Sequence, residues 1–510
     1  MKKIFYAIIV LSIVLISSCS KEHKTTPTTN LTGPSKTGTT LQLIQDSLYL
    51  YAKEDYLWFN QLPTYGAFQP RSFTNAEDLT ALSNELNALS QYAINPATSL
   101  PYEYYPADPG QAKYSFIDGG SVSSALNGVK GDFGLDVQYN KVNDLRIEYV
   151  YAGSPAGIAG LTRGCQIISI NNSTNISYDG PGYGSGTSTN LNFVSNAIYD
   201  SGAITMSAIT LAGDTVKVNL TTASYNVNPV LKDTVITTAN NHIVGYIVFN
   251  SFVSDAVADP VLNAAFANFA QQGITDLVVD LRYNGGGYVS TAEYLDNLIV
   301  PPSKSGTLMY NTYYNSNLVS GKDSLITAQF GGPVDFSVAA NAVSFSKKGT
   351  INIPRVFFII TGQTASASEL TINNLRPEMD VEFVGQTSYG KPVGFFAINI
   401  NKYQLYTPEF SVENSAGQGG YYAGFSPGTD TYPGFSAFDD LTKNFGDPTE
   451  GLFAGILKYV NTGSYAVSNK TQIGLNPGIR AAYTKMSALS KHTFNGMVFN
   501  KKLKKVRGKR

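Results

Sequence analysis

The sequence is poor in the residues on which the commonest hydrolytic mechanisms depend. Its 510 residues contain three histidines, His23, His242 and His492, and charged residues make up only 14% of the chain. Because His23 lies in a predicted linker and His492 in a polar tail, a Ser-His-Asp triad has almost no candidate base. A net charge of −1 provides no overall field to attract nucleic acid. No His, Cys and acidic residues cluster at ligand spacing, so we expect neither metal nor cofactor.

Cysteine is almost absent, and one of the two cysteines stands where a leader segment would end. Cys19 follows Lys2, Lys3, an apolar run from Ile4 to Ile16 and two serines. The run is too short to span a bilayer as a mature helix, and its end resembles the lipobox of bacterial lipoproteins, in which the cysteine is lipidated. An ordinary secretory signal containing Cys19 is the alternative. Lipidation would leave Cys165 as the remaining thiol, and would place the protein in the cell envelope, at the outer membrane or facing the periplasm.

Changes in composition divide the chain into regions. The residues after the leader are rich in Thr, Ser and Pro and predict a flexible linker, and the helices that follow include one capped by Thr74 or Asn75. The polar, basic end of the chain predicts a solvated tail, with contact to an anionic surface as the alternative. The predicted regions are a lipoprotein signal peptide (1–19), a linker (20–40), an N-terminal helical domain (41–119), a β-rich domain (120–228), an α/β core (229–465) and the tail (466–510).

The β-rich domain shows the order of elements found in a known peptide-binding module. Gly153 to Leu161 predicts a short Ser-Pro-Ala-capped helix, and Gly164 to Asn171 predicts a strand entered through a glycine turn. This resembles a PDZ domain, although Cys165 replaces the usual Asp; a generic β-hairpin region is the alternative. The predicted strands are Phe133 to Tyr139, Leu145 to Val150, Gln166 to Ile170, Ile204 to Leu211 and Thr215 to Leu220.

The PDZ resemblance implies a peptide-binding loop at Asp132-Phe133-Gly134-Leu135. In this interpretation the backbone N–H groups of Phe133, Gly134 and Leu135 cradle a terminal carboxylate, and the peptide adds as a strand to the sheet edge. The alternative is that Gly134 only permits a tight turn and the domain acts as a spacer.

Strands and helices alternate from about Thr234 onward. Such alternation predicts a largely parallel sheet with active groups at the carboxyl ends of its strands. The predicted strands are His242 to Val248, Asp276 to Leu281 and Val356 to Thr361, and the predicted helices are Asp255 to Ala270 and Thr291 to Ile299.

A serine and a lysine remain as candidates for nucleophilic chemistry. Ser366 stands at the start of a predicted helix in Thr364-Ala365-Ser366-Ala367-Ser368-Glu369, and Lys391 follows in a glycine turn flanked by aromatic residues. A serine hydroxyl needs an adjacent base at neutral pH, and a lysine whose pKa is lowered by burial can take its proton. Taken alone, Ser-x-x-Glu predicts a capping box in which Ser366 caps the helix and Glu369 reaches back, and a lysine in a turn predicts a surface residue.

Four segments in order resemble the C-terminal processing peptidases, also called tail-specific proteases. The family places a PDZ domain directly before its core, and the resemblance covers roughly residues 120 to 460. It implies a multi-domain α/β fold with a ClpP/crotonase-like protease core. The segments are Gly245-Tyr246-Ile247 with Ser251-Phe252, Asp280 to Gly287, Thr364 to Glu369, and Gly385 to Lys391.

The resemblance also implies roles for single residues. Ser366 would be the nucleophile and Lys391 its general base. The backbone N–H groups of Gly286 and Ala367 would stabilise the oxyanion, and Glu369 would be structural.

The sequence departs from the family pattern in three places. Pro392 follows the lysine where the family has Gly, and Gly285 stands where the family often has Pro. Phe395 replaces a polar residue that helps to orient the lysine in relatives. These departures leave open how Lys391 is held.

The leading functional hypothesis is an envelope-anchored serine endopeptidase that cleaves polypeptides near or after recognising a free C-terminus. Its partners would be an unfolded or C-terminally exposed polypeptide and, through the lipid anchor, a membrane. One alternative is a catalytically inactive lipoprotein that binds peptides in the PDZ-like groove. Another is a carbohydrate-binding surface lipoprotein, suggested by the anchor and by 33 tyrosines.

Overall fold

A computed structural model describes residues 33–180, 188–465 and 496–506. The predicted signal peptide, the lipidation candidate Cys19 and most of the predicted linker lie outside the described residues, as do His23 and His492. Within the described ranges no helix is long and apolar enough to cross a membrane.

The N-terminal region is mainly helical and packs onto the core. Ile44, Leu48 and Tyr56 share one hydrophobic cluster with residues of the central sheet such as Phe249. The predicted cap at Thr74 or Asn75 was wrong, since the helix begins after Glu77, and the Asn75 side chain instead accepts a turn hydrogen bond from the Glu77 N–H. The elements are α1 (Thr40–Asp55), α2 (Tyr65–Phe68), α3 (Asp78–Ser90), α4 (Ser121–Leu126), β1 (Ile94–Asn95), β2 (Leu100–Pro101), β3 (Phe116–Asp118) and β4 (Val129–Lys130).

The β-rich domain has a hydrophobic core of its own, and its antiparallel sheet has the order β5-β6-β7-β8-β9. Ser154 caps the short helix by accepting from the Gly157 N–H, as the sequence predicted. The predicted strands are confirmed, with ends shifted by one or two residues. The elements are β5 (Leu135–Lys141), β6 (Asp144–Val150), β7 (Gln166–Ile170), β8 (Ala203–Ile209), β9 (Thr215–Thr221), α5 (Pro155–Ile158) and α6 (Thr189–Ser195).

The core alternates strands and helices as predicted. Its strands are β10 (Tyr225–Asn226), β11 (Val230–Thr237), β12 (Ile243–Phe249), β13 (Asp276–Asp280), β14 (Gly286–Tyr288), β15 (Leu308–Tyr314), β16 (Val343–Ser344), β17 (Arg355–Ile360), β18 (Asp380–Gly385), β19 (Val393–Gly394), β20 (Ile398–Ile400), β21 (Tyr403–Tyr406), β22 (Phe410–Asn414), β23 (Gly434–Ser436) and β24 (Gly496–Val498). Its helices are α7 (Asp255–Gln272), α8 (Val289–Ile299), α9 (Ser316–Val319), α10 (Ser324–Gln329), α11 (Val338–Asn341), α12 (Ala367–Leu375) and α13 (Gly451–Thr462).

The central sheet has the strand order β11-β12-β13-β17-β18-β23 in the described part of the chain. From β12 onward the neighbours are parallel, and β11 is antiparallel at one edge. Both faces are buried: Leu277 and Val279 point into the cluster shared with the N-terminal region, whereas Val278 points into a second cluster with α13. Side chains alternate between the faces of a strand, so an unbroken apolar run fits a sheet covered on both sides.

The prediction of a solvated tail was wrong for residues 496–498. These residues form β24, and Met497 and Val498 are 0% and 2% exposed. The short apolar run Met497-Val498-Phe499 is enough to drive burial, because it meets an unpaired strand edge and an apolar cluster. Basic neighbours dominate the composition of this segment and conceal the run.

Candidate active site

Ser366 lies between the end of β17 and the start of α12, in a strained backbone conformation. Its φ and ψ angles are 62° and −106°, a region that non-glycine residues rarely adopt. The side chain is fully buried, and among the described residues its Oγ has no hydrogen-bond partner. Strain of this kind persists only where the surroundings impose it, and it is frequent at catalytic residues.

The loop that follows β13 imposes this conformation. The Asn284 carbonyl accepts hydrogen bonds from the Ala365 N–H at 3.0 Å and from the Ser368 hydroxyl at 2.9 Å. The Thr364 hydroxyl donates to the Leu281 carbonyl at 2.7 Å. Residues on both sides of Ser366 are therefore fixed to the neighbouring strand end.

The Glu369 carboxylate joins the segments that carry Ser366 and Lys391. One oxygen accepts from the backbone N–H groups of Ser366 at 2.9 Å and Lys391 at 2.8 Å. The other accepts from the Gly390 N–H at 2.7 Å and the Ser388 hydroxyl at 2.6 Å. Glu369 thus reaches back to Ser366 as the capping-box pattern predicted, and it also brings the lysine turn to the same carboxylate. Burial raises the pKa of Glu369, and the four hydrogen bonds oppose that rise.

Lys391 is fully buried among aromatic rings rather than exposed in a turn. Its Nζ lies 3.7 Å from the ring centroid of Phe395 and 5.6 Å from that of Tyr114. Phe395, which replaces the polar residue of the family pattern, therefore contacts the amine directly with its ring face. Burial lowers the lysine pKa well below its ordinary value, and the nearby Glu103 and Glu369 only partly offset the effect.

The N-terminal region completes the surroundings of the lysine. The Tyr114 hydroxyl donates to the Gly390 carbonyl at 2.7 Å, although the two residues are 276 positions apart in the chain. The Lys113 ammonium donates to the same carbonyl at 3.2 Å, and burial lowers the pKa of Lys113 to about 8. Sequence reasoning missed both residues, because nothing in their local pattern points to a contact with the lysine turn.

Two backbone amides were predicted to stabilise an oxyanion, and the structure brings them together. Ala367 is the first residue of α12, so its N–H has no partner within the helix. A Cβ placed on Gly286 would lie 2.9 Å from the Ala367 nitrogen, which shows how closely the glycine backbone approaches. The Gly286 N–H, however, donates to the Asn284 side chain at 2.9 Å. It would have to leave that partner to serve an oxyanion.

His242 lies at the other end of the sheet. It directly precedes β12, whereas Ser366 follows the carboxyl end of β17, and β12, β13 and β17 are parallel. Its side chain is 40% exposed and lies 3.5 Å from the carboxylate of Asp276. Across residues 33–180, 188–465 and 496–506, no group of three or more His, Cys, Asp and Glu side chains could hold a metal.

The predicted carboxylate-binding loop of the β-rich domain is closed. The Gly134 N–H donates to the Asp132 carboxylate at 2.8 Å, and the Phe133 side chain is 1% exposed. The Tyr225 hydroxyl also donates to Asp132 at 2.6 Å. One of the three predicted N–H donors is therefore already used, so binding of a carboxylate here requires the loop to rearrange.

Buried polar contacts connect the β-rich domain to the loops of the site. Arg163 donates to the Tyr283 hydroxyl at 2.5 Å and to Asp439 at 2.6 Å, and Asp439 also accepts from Arg282. The Gln363 amide, three residues before Ser366, donates to Glu148 at 3.2 Å. A movement of the β-rich domain would therefore displace the residues that follow β13 and β17, the two strand ends that position Ser366.

Part of the chain, including the residues of this site, is similar to known proteins. Residues 243–419, about a third of the chain, match the model described as peptidase family S41. A putative S41 protease from Bacteroides fragilis NCTC 9343 shares the fold, with a TM-score of 0.56 and 22% identity over 82% of this chain and 97% of that one. No curated protein matches the chain.

Two further solved structures are more distant. The photosystem II D1 C-terminal processing protease has a TM-score of 0.41 and 17% identity over 77% of this chain and 92% of its own. A putative peptidase from Parabacteroides merdae ATCC 43184 has a TM-score of 0.35 and 13% identity over 76% of this chain and 89% of its own. The region that contains Ser366 and Lys391 is thus similar to peptidase family S41, and that match supports a serine peptidase.

Proposed function

We propose that the protein is a serine endopeptidase in which Ser366 is the nucleophile and Lys391 the general base. The proposal includes a ClpP/crotonase-like core preceded by a PDZ domain, and an envelope location through lipidation of Cys19. The observation that carries it is Ser366 itself, a buried serine in a strained conformation whose Glu369 partner also holds the backbone of a desolvated lysine. A helix cap alone needs neither the strain nor the lysine.

The chemistry follows from the protonation state of Lys391. Ser366 Oγ has no hydrogen-bond partner among the described residues, so the amine must first come within hydrogen-bond distance of it. The neutral amine then takes the proton of the Ser366 hydroxyl while Oγ attacks the substrate carbonyl carbon. The negative charge that develops on the carbonyl oxygen is stabilised by the Ala367 N–H at the positive end of the α12 dipole. As the intermediate collapses, the protonated lysine gives its proton to the leaving amine and an acyl-enzyme remains. Water, deprotonated by the same amine, then attacks the acyl carbon. The bond to Oγ breaks, the acid leaves, and the protonated lysine returns its proton to the serine oxygen.

The experiment that tests this function is digestion of an unfolded model protein by purified protein lacking residues 1–20. Mass spectrometry of the products reports activity and cleaved bonds together. Fragments that require Ser366 would support the peptidase. Intact substrate at any enzyme excess would instead favour the alternative, a lipoprotein that binds peptides without turnover.

We expect peptidase activity to rise with pH through the lowered pKa of Lys391. Only the neutral amine can accept the serine proton, so activity is low below that pKa and reaches a plateau above it. The measurement is kcat/KM against pH. His242→Ala is the matched control, because the imidazole lies at the opposite end of the parallel strands, and the profile should be unchanged. A large loss of activity in a folded His242→Ala protein would indicate a different base.

We also expect a free C-terminus to increase cleavage by binding the loop at Phe133, Gly134 and Leu135. Backbone N–H groups would hold the terminal carboxylate after Gly134 exchanges its Asp132 partner. The measurement compares an unfolded substrate with its C-terminally amidated form at concentrations below saturation. Faster cleavage of the free acid is the expected result, whereas equal rates would show that the carboxylate is not recognised.

A further inference from the structure

The C-terminal segment 496–506 forms a strand beside the candidate active site. β24 pairs in parallel with β14, so that Gly496 lies opposite Gly286 and Val498 opposite Tyr288. The Gly496 N–H donates to the Gly285 carbonyl at 2.9 Å. The segment therefore adds to the same glycine-rich loop that carries a predicted oxyanion donor.

The other side of β24 is also hydrogen-bonded. The Phe395 N–H donates to the Met497 carbonyl and the Phe499 N–H donates to the Phe395 carbonyl, both at 2.8 Å. Phe395 is the residue whose ring contacts the amine of Lys391. A groove one strand wide thus runs between β14 and Phe395, and it is bounded by residues that contact the candidate base and approach α12.

The register places one carbonyl of the segment beside the candidate oxyanion site. A Cβ built on Gly286 would lie 2.2 Å from the Gly496 carbonyl oxygen and 2.9 Å from the Ala367 nitrogen. The carbonyl of Gly496 therefore lies on the same side of Gly286 as the first amide of α12. The next two side chains, Met497 and Val498, are 0% and 2% exposed in apolar surroundings.

We propose that this groove is the site that binds an extended polypeptide substrate, and that residues 496–506 occupy it as an intramolecular competitor. The inference rests on the proposed peptidase function and deepens it. A substrate would lie parallel to β14, with its scissile carbonyl where the Gly496 carbonyl lies. The two residues after the cut would occupy the positions of Met497 and Val498, which selects apolar side chains there.

Contacts beyond β24 add to the retention of the competitor. The Asn500 amide donates to the Ser290 hydroxyl at 2.7 Å, and the Lys501 ammonium pairs with Glu293 at 2.7 Å. These contacts are partly exposed, and each contributes little by itself. The strand is held mainly by the burial of Met497 and Val498 and by its backbone hydrogen bonds, and the tether adds an effective concentration on the order of millimolar. A polypeptide substrate displaces it by making the same backbone hydrogen bonds and by burying apolar side chains of its own in place of Met497 and Val498.

The first experiment measures binding without turnover, in a Ser366→Ala background. The probe is an acetylated, fluorescently labelled peptide of residues 496–506, followed by anisotropy. Met497→Asp introduces a charge at a fully buried position and should release the strand. The probe should therefore bind at least about tenfold more tightly to the Ser366→Ala, Met497→Asp protein than to the Ser366→Ala protein. Val319→Asp is the matched control, because Val319 is 56% exposed and lies on α9 outside the segment, and it should leave binding unchanged. A folded Met497→Asp protein without tighter binding would show that β24 is only structural.

The second experiment needs no destabilising change. Hydrogen exchange of the Ser366→Ala protein is compared with and without a saturating unfolded polypeptide. The amides of residues 496–499 should lose protection when the polypeptide binds, and unchanged protection with bound polypeptide would overturn the proposal. Both readouts are independent of catalysis. If the probe binds but the wild-type protein cleaves nothing, the peptidase function is rejected, whereas the assignment of the groove as a polypeptide-binding site is retained.

The register is tested by the cleaved bonds. When the Met497→Asp protein, with Ser366 intact, digests an unfolded substrate, apolar residues should be enriched at the two substrate positions that follow the cleaved bond. The same digest should also run faster than that of the wild-type chain. Cleavage without this enrichment would contradict the substrate register inferred from Met497 and Val498.

Discussion

Replacing Ser366 with alanine is expected to reduce kcat/KM at least about a thousandfold while the protein stays folded. The hydroxyl would form the acyl-enzyme, so no neighbouring group can replace it. Because Oγ has no hydrogen-bond partner in the described structure, its loss should change the free energy of unfolding by less than about 1 kcal/mol. The measurements are digestion kinetics and thermal unfolding of both proteins.

Ser368→Ala is the matched control for this prediction. Ser368 is also buried, lies two residues along the same helix and donates to the Asn284 carbonyl, which keeps its second donor, the Ala365 N–H. We expect Ser368→Ala to lose about 1 kcal/mol of stability and little activity. If the Ser366→Ala protein cleaves within threefold of the wild-type rate, Ser366 is only a residue at a helix start.

The sequence predicted the local parts of this site well. Ser-x-x-Glu after a buried strand correctly indicated a helix that begins after Ser366, with Glu369 reaching back to it. The alternation of buried strands and helices likewise indicated the parallel sheet that places Ser366 at a strand end. The cap depends on residues within one helical turn, and the alternation depends on the period of apolar residues inside each element, so both can be seen in local spacing.

The features that sequence reasoning missed depend on contacts between segments that are distant in the chain. Tyr114 meets Gly390 across 276 positions, and no periodicity around either residue indicates that pairing. The burial of Met497 depends on a strand edge supplied by β14 more than 200 positions earlier. Gly134 lies in a bend directly before β5, whereas Gly286 is the first residue of the strand β14. The occupation of their amides by Asp132 and Asn284 depends on side-chain rotamers that spacing does not determine.

The proposed role of Lys391 also depends on this distant packing rather than on its turn. Gly390 and Lys391 are held by Glu369 on one side, and the Gly390 carbonyl is held by Tyr114 and Lys113 on the other. The N-terminal region therefore supplies part of the enclosure whose burial lowers the pKa of Lys391. In the proposed mechanism this gives the region a positioning function in addition to its packing.

Replacing Lys391 with methionine is expected to abolish cleavage and to stabilise the fold. Methionine has a similar length and fills the space beside Phe395, but it carries no amine to accept the serine proton. Burial of lysine opposes its charged form, so removal of the amine should raise the free energy of unfolding by about 1–2 kcal/mol at pH 7. Lys391→Arg should be equally inactive but less stable than wild type, because a buried guanidinium cannot lose its proton.

The stability gain of Lys391→Met should shrink as the pH rises. Unfolded lysine keeps its proton up to about its ordinary pKa of 10.5, whereas the buried lysine has a lower pKa and releases its proton on folding. Since the unfolded state binds more protons in that interval, wild-type stability increases with pH relative to the methionine variant. The difference in the free energy of unfolding between Lys391→Met and wild type is largest below the lowered pKa of Lys391 and disappears above pH 10.5. Denaturant unfolding of both proteins across this range measures the difference. A constant difference would mean that Lys391 keeps its proton in the folded state, which would exclude it as the base.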